Sequence, residues 1–219
     1  MKKLRLFCAV LALVLLFTAQ PATAVAETGN IRTTTISATY TEPTILVTVP
    51  TTGTIYLNPL KLRVDVDGAS RNEQILSRTC FIANKGNIPL QVDVSVTGAL
   101  AEGSDMTLAS SSTKGSTSKS KRAFIYFEMQ RVDEDEESIV QWDKAYDASK
   151  HIVVSDGETK SKQNILKLGA KPINGTEVKG GYGAFRLTGD AIVAPENEWH
   201  SKDGLMVEVA FTFTPLSYV

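Results

Sequence analysis

Leu90-Gln91-Val92-Asp93-Val94-Ser95-Val96 separates cleanly into two sets, apolar at even positions and polar at odd ones. Successive side chains of a strand point to opposite faces, so this stretch predicts a strand with one dry face and one wet face. The same period returns at Leu62, Val64 and Val66 against Arg63, Asp65 and Asp67. Further on, Leu205, Val207, Val209, Phe211 and Phe213 alternate with Met206, Glu208, Ala210, Thr212 and Thr214. Ile45 to Val49 reads as a strand stopped by Pro50, and Ala123 to Met129 is apolar on both sides, as a covered central strand would be.

Turn chemistry separates these runs. Asn84-Lys85-Gly86-Asn87 lies between Arg78–Ala83 and Ile88–Thr97 and predicts a hairpin. Asp67-Gly68 and Asp156-Gly157 are further turn signals, and Gly180-Gly181 precedes the strand-like run Tyr182 to Leu187. No amphipathic pattern of three helical turns occurs; Asp143 to Lys150 is the one segment with short helical character. Many short strands joined by Gly- and Pro-bearing turns predict an all-β fold. The expected form is an antiparallel β-sandwich, Ig-like or jelly-roll-like, with long loops.

The N-terminus has a different composition. Lys2, Lys3 and Arg5 precede the apolar run Leu6 to Phe17, and small-residue sites follow at Ala22-Thr23-Ala24 and Ala24-Val25-Ala26. A basic start, a short apolar stretch and an Ala-x-Ala site predict a secretory signal peptide over 1–26. The run is too short for a membrane span. Cys8 lies inside it rather than at a cleavage site, so a lipoprotein is not expected. No sorting motif of the LPxTG kind and no C-terminal anchor follow, so the expected product is secreted and held at the cell surface by another molecule.

Residues 27–219 are expected to form a single elaborated domain, with two packed subdomains as the alternative. Of the 23 basic residues in the chain three belong to the signal, leaving 20 against 24 acidic ones. That balance excludes electrostatic nucleic-acid binding and a polybasic lipid anchor. With Cys8 removed, Cys80 is the lone cysteine, which excludes an internal disulfide and a thiolate zinc site. Between Thr79 and Phe81 it reads as a small apolar strand residue, the other reading being a reactive thiol or intermolecular bridge. The segment 109–122 is mostly Ser, Thr, Lys and Gly, with too little apolar surface to order itself, and reads as a flexible loop.

Candidate chemistry is sparse. His151 opens an apolar strand and His200 sits in a polar loop, both as ordinary surface or strand-end residues; neither belongs to an HExxH arrangement. There is no Gly-x-Ser-x-Gly elbow. The acidic run around Asp133, Asp135 and Glu137 offers hard oxygen ligands for calcium, though without EF-hand spacing, and otherwise reads as a solvated hairpin tip. Trp142, Trp199 and Tyr182, with Tyr146, are candidates for an aromatic platform that stacks on sugars. Asn174-Gly175-Thr176 matches the glycosylation acceptor pattern. No cofactor and no enzymatic activity are expected.

The strand Ile45 to Pro50 with Thr51-Thr52-Gly53, and the run Ile82 to Pro89 leading into Val92, Val94 and Val96, resemble secreted surface proteins of Gram-positive bacteria. So does the closing Phe211-Thr212-Phe213-Thr214-Pro215. Among such proteins the chain resembles WxL-type cell-wall proteins and TasA-like matrix proteins. Trp142-Asp143-Lys144 and Trp199-His200-Ser201 do not form a Trp-x-Leu motif. The resemblance implies a β-sandwich with an extracellular structural role. Export, strand content and the lack of catalytic and anchoring motifs make a fibre or pilus-like or cell-wall-associated subunit the expected form of that role. Its partners would be other subunits, including copies of itself, or a wall component. The alternative is a secreted carbohydrate-binding module.

Overall fold

The computed structural model describes residues 43–132, 140–143, 145–170, 181–192, 199–200 and 202–216. They belong to a compact unit, Thr41–Val219. The signal-peptide segment 1–26 lies outside the described residues. No helix occurs among the described residues, and none is therefore long and apolar enough to cross a membrane.

Two strands of eleven residues, β9 (Arg122–Val132) and β12 (Tyr182–Ile192), pair antiparallel along their whole length and form the centre of the larger sheet. The other edge of β12 is shared. Its first half takes β6 (Cys80–Asn84), which carries β1 (Val47–Thr48), and its second half takes β5 (Ile75–Ser77), which carries β2 (Ile55–Leu57). The outer edge of β9 takes β10 (His151–Val153) and a short parallel strand, β8 (Thr107–Leu108). The second sheet has the order β11 (Thr159–Leu168), β7 (Leu90–Leu100), β13 (Leu205–Pro215). A separate hairpin, β3 (Val64–Val66) and β4 (Ala69–Arg71), turns through Asp67 and Gly68, both with positive φ, as a two-residue hairpin loop requires.

The all-β antiparallel sandwich is present, and the alternating stretch that predicts it occupies its middle. Val92, Val94 and Val96 of β7 are sealed against Ile125, Phe127 and Met129 of β9 and Leu187 of β12. On the other side of β7 the polar positions make cross-strand pairs: Ser95 with Ser161 at 2.9 Å and Thr97 with Thr159 at 2.8 Å. Ala123 to Met129 is covered on both faces apart from Tyr126, as expected for a central strand. Gly189 lets β12 come so close to β9 that a Cβ there would stand 1.8 Å from the Phe124 carbonyl oxygen.

Two expectations change. The Asn84–Asn87 loop does not close a hairpin, because β6 and β7 belong to different sheets and the chain crosses between them there. Its hydrogen bonds go elsewhere: Lys85 N–H to Leu46 O, Asn87 N–H to Thr44 O, and the Asn84 amide to Ile88 O and Gly169 O. The helical segment is instead a single turn, Lys150 N–H to Asp147 O, with the Asp147 carboxylate taking the Ser149 N–H and hydroxyl.

The Ser/Thr/Lys-rich segment is poor in apolar contacts, yet polar groups fasten it. Asp190 accepts from the Ser112 hydroxyl (2.8 Å), the Thr113 N–H (2.6 Å) and the Thr113 hydroxyl. At its end Lys121, almost fully buried, pairs with Asp203 at 2.6 Å and Asp105 at 2.7 Å.

Candidate functional site

Because β9 and β12 are in register, Phe124, Tyr126 and Glu128 stand beside Asp190, Thr188 and Arg186. All six alternate with core residues and so occupy the sheet face turned away from the sandwich interior. Above this face lies a cavity of about 750 Å³. The β3–β4 hairpin supplies one wall with Val66, Ala69 and Arg71; Trp142, Asp143 and Tyr146 supply another. The hairpin is tethered to the sheet by Asp67, whose carboxylate takes the Thr79 N–H at 2.6 Å.

Beneath the cavity is a buried charged triad. Glu128, 2 % exposed, accepts from Arg186 Nε through one oxygen and lies 3.1 Å from His151 Nε2 through the other. The Arg186 guanidinium continues over the Trp142 ring, 4.5 Å from its centroid. His151 Nδ1 accepts the Asp147 N–H at 3.1 Å, which assigns the proton of the neutral ring to Nε2, facing Glu128. Tyr146 stacks on His151 with ring centroids 5.0 Å apart and meets Tyr126 at 4.8 Å and Phe124 at 5.4 Å.

The electrostatics follow from burial. Burial and the Glu128 charge push the Tyr126 phenol up to about 12. Burial opposes the charge of Glu73, but hydrogen bonding and attraction from Arg71, 3.0 Å away, outweigh it and hold its pKa below the ordinary value. Burial lowers His151, and the neighbouring Glu128 and Asp147 recover only part of that shift. A histidine depressed in the folded state binds protons more readily when unfolded, so stability falls as pH drops below about 6.5 toward the folded value. Melting temperatures between pH 7.5 and 5 are expected to show this decline and His151→Gln to flatten it. An unchanged slope in the variant would assign the decline to other groups. The depressed carboxylates Glu73, Asp147 and Asp203 titrate lower, outside this window.

The aromatic candidates do not share one platform. Trp142 lines the cavity with Tyr146. Trp199 packs against the core, and Tyr182 stands on the face of Arg186 but four residues earlier on β12, about 13 Å along the strand. Tyr182 lies under Lys85 instead, 5.4 Å from its ammonium. The indole N–H groups of Trp142 and Trp199 are buried and find no acceptor among the described residues.

Asp133, Asp135 and Glu137 lie outside the described residues, as does Asn174. Among the described residues no group of three His, Cys, Asp or Glu side chains is placed to hold a metal ion. Cys80 is half-buried in β6, and burial, with the Asp67 charge, raises its pKa. His200 is exposed and donates its N–H to Asp203.

Arg186 and Glu128, the residues that sequence reasoning passed over, carry one visible signal. Each is a charge flanked by apolar residues inside a strand run, Phe127-Glu128-Met129 and Phe185-Arg186-Leu187, and the two are of opposite sign. No protein-family model, no curated protein and no solved structure matches this chain.

Proposed function

We propose that the protein is an exported, non-enzymatic structural subunit of the cell exterior that assembles by strand addition along β13. The observation that carries this reading is the state of that strand. Among the described residues β13 pairs only with β7, leaving eleven residues of backbone along its other edge. Its inward side chains Val207, Val209, Phe211 and Phe213 are only half-buried, whereas Val92 and Val96 on the neighbouring strand are sealed. An edge with unpaired N–H and C=O groups beside an incompletely covered core accepts a further strand from another chain.

Export is supported by the signal-peptide pattern of residues 1–26, and a surface role by the resemblance to Gram-positive surface proteins. The non-enzymatic reading is supported by the placement of the described imidazole–carboxylate pair: His151 is held by the Asp147 N–H and capped by Tyr146, and neither it nor Glu128 lines the cavity.

Sedimentation velocity of residues 27–219 across a wide concentration range tests the assembly. Concentration-dependent association is expected, and Val209→Lys, which places an inward charge on the edge, is expected to abolish it. A strict monomer throughout, or association undiminished in a folded Val209→Lys protein, overturns the reading.

A further inference from the structure

We infer that the cavity on the outer face of the larger sheet is a binding site for a neutral oligosaccharide. Trp142 and Tyr146 form its apolar surface, and Arg71, Asn72, Glu73 and Asp143 are the partners for sugar hydroxyls. The site does not depend on assembly along β13, which belongs to the other sheet.

Size and charge decide the class of ligand. About 750 Å³ falls within the range of small-molecule sites. The lining carries three cations, Arg71, Lys114 and Arg186, and four carboxylates, Asp67, Glu73, Asp143 and Asp190. Most already have partners: Arg186 is held by Glu128, Arg71 by Glu73, Asp190 by Ser112 and Thr113, and Asp67 by the Thr79 N–H. The wall therefore presents no field of one sign that would draw in a phosphate or a polycation.

Paired groups still keep hydrogen-bonding capacity. A guanidinium has five N–H donors and a carboxylate about four acceptor positions, more than the contacts here consume. A hydroxyl, which both donates and accepts, fits such a wall, and a ligand with many hydroxyls fits it best. A purely apolar ligand would strip water from these groups without replacing its hydrogen bonds, which is costly. An extended peptide recognised by strand addition needs a sheet edge, whereas this cavity has a sheet face as its floor.

The apolar half of the match comes from the rings. Tyr146 is 41 % exposed despite its contacts with Phe124, Tyr126 and His151, so its position is fixed while surface remains open. Trp142 is set by Arg186, itself anchored on Glu128. A pyranose has C–H groups that pack on such rings and a rim of hydroxyls that reaches the polar wall. Rings fixed before binding lose little freedom on binding.

Cellohexaose, xylohexaose, mannohexaose and chitohexaose are suitable probes, titrated calorimetrically into residues 27–219 with tryptophan fluorescence followed in parallel. At least one is expected to bind, to change Trp142 emission, and to keep its affinity within about twofold as salt rises, because no net charge is neutralised. Trp142→Ala is expected to weaken binding by about tenfold or more, the scale of one aromatic contact. Removing that ring also frees Arg186, so Glu73→Gln provides a second test that leaves the aromatic wall intact; it too should weaken binding in a protein that stays folded, its melting temperature lowered only by the loss of the Arg71 pairing.

Val209→Lys should leave sugar binding as it was, so loss of assembly and loss of this site are read separately. The proposal is overturned if none of the four probes gives heat or an emission change. It is also overturned if both cavity variants bind like the parent, or if affinity falls steeply with salt.

Discussion

Lys121→Met is expected to cost about 3–5 kcal/mol of folding stability, the size measured when one partner of a buried ion pair is removed. The side chain is 1 % exposed and its partner Asp203 0 %, while Asp105 is open to solvent. The ammonium therefore supplies the main charge compensation to a carboxylate that has no access to water. Three chain segments meet at it: Asp105 between β7 and β8, Lys121 directly before β9, and Asp203 two residues before β13. Burial penalises the lysine charge, and the two carboxylates more than restore it, so its pKa lies above the ordinary value.

Burial likewise works against Asp203, but the His200 N–H, Lys121 and the Ser104 hydroxyl bring its pKa down to about 2. A carboxyl depressed in the folded state gives stability that is present above its unfolded value of 3.8 and lost as pH falls toward 2. Urea unfolding at pH 7 should show the Lys121→Met midpoint lowered with an unchanged denaturant slope. The same variant should lose much of the parent's acid-limb decline between pH 3.8 and 2. Asp203→Asn in the Lys121→Met background should recover part of the loss, since it removes the orphaned charge. A destabilisation under about 1 kcal/mol would mean that the site is hydrated and the pair is not a buried one.

How far these features can be read from sequence depends on the range of the interaction. Alternation at Leu90–Val96 and Leu205–Phe213 is local and is imposed by one wet face and one dry one, so it identifies strands without knowledge of their neighbours. The Asp67-Gly68 turn is equally local, because only its two backbone conformations matter. Pairing is another matter. Asn84–Asn87 has hairpin composition, but the Lys85 and Asn87 N–H groups are taken by Leu46 and Thr44 and the Asn84 N–H by Gly181, all remote in the chain, and the strand that follows enters the other sheet. Nothing within the loop encodes that choice.

The same limit governs the site. Trp142 and Tyr146 stand out as aromatics in a polar segment, whereas Trp199 and Tyr182 stand out equally and belong to other surroundings. Lys121 sits in a segment whose composition reads as solvated, and only its distant carboxylate makes it part of the interior. A polar residue's burial is decided by its partner, and the partner here is 82 positions further along the chain.

Glu128→Ala is expected to have a comparable effect, about 3–5 kcal/mol, for a related but distinct reason. Glu128 serves two donors from neighbouring strands, Arg186 on β12 and His151 on β10, so its loss leaves two buried donors without an acceptor. Arg186 would retain the Trp142 ring and the more distant charge of Glu73, which soften the loss without replacing a hydrogen-bonded carboxylate. Glu128→Gln keeps the volume but turns an amide N–H₂ toward one of the two donors, so it should fall between the parent and the alanine variant.

The diagnostic comparison is Glu128→Gln with Arg186→Met, separately and together. If the pair acts as a unit, the double variant is less destabilised than the sum of the singles, with a coupling of about 1–3 kcal/mol in urea unfolding. The histidine adds a second readout. Glu128 supports the charged form of His151, so Glu128→Gln should move the imidazole titration followed by NMR still further below its ordinary value. Additive single effects together with an unmoved imidazole titration would dissolve the triad into independent contacts, and with it the rigid floor on which Arg186 and Trp142 are held.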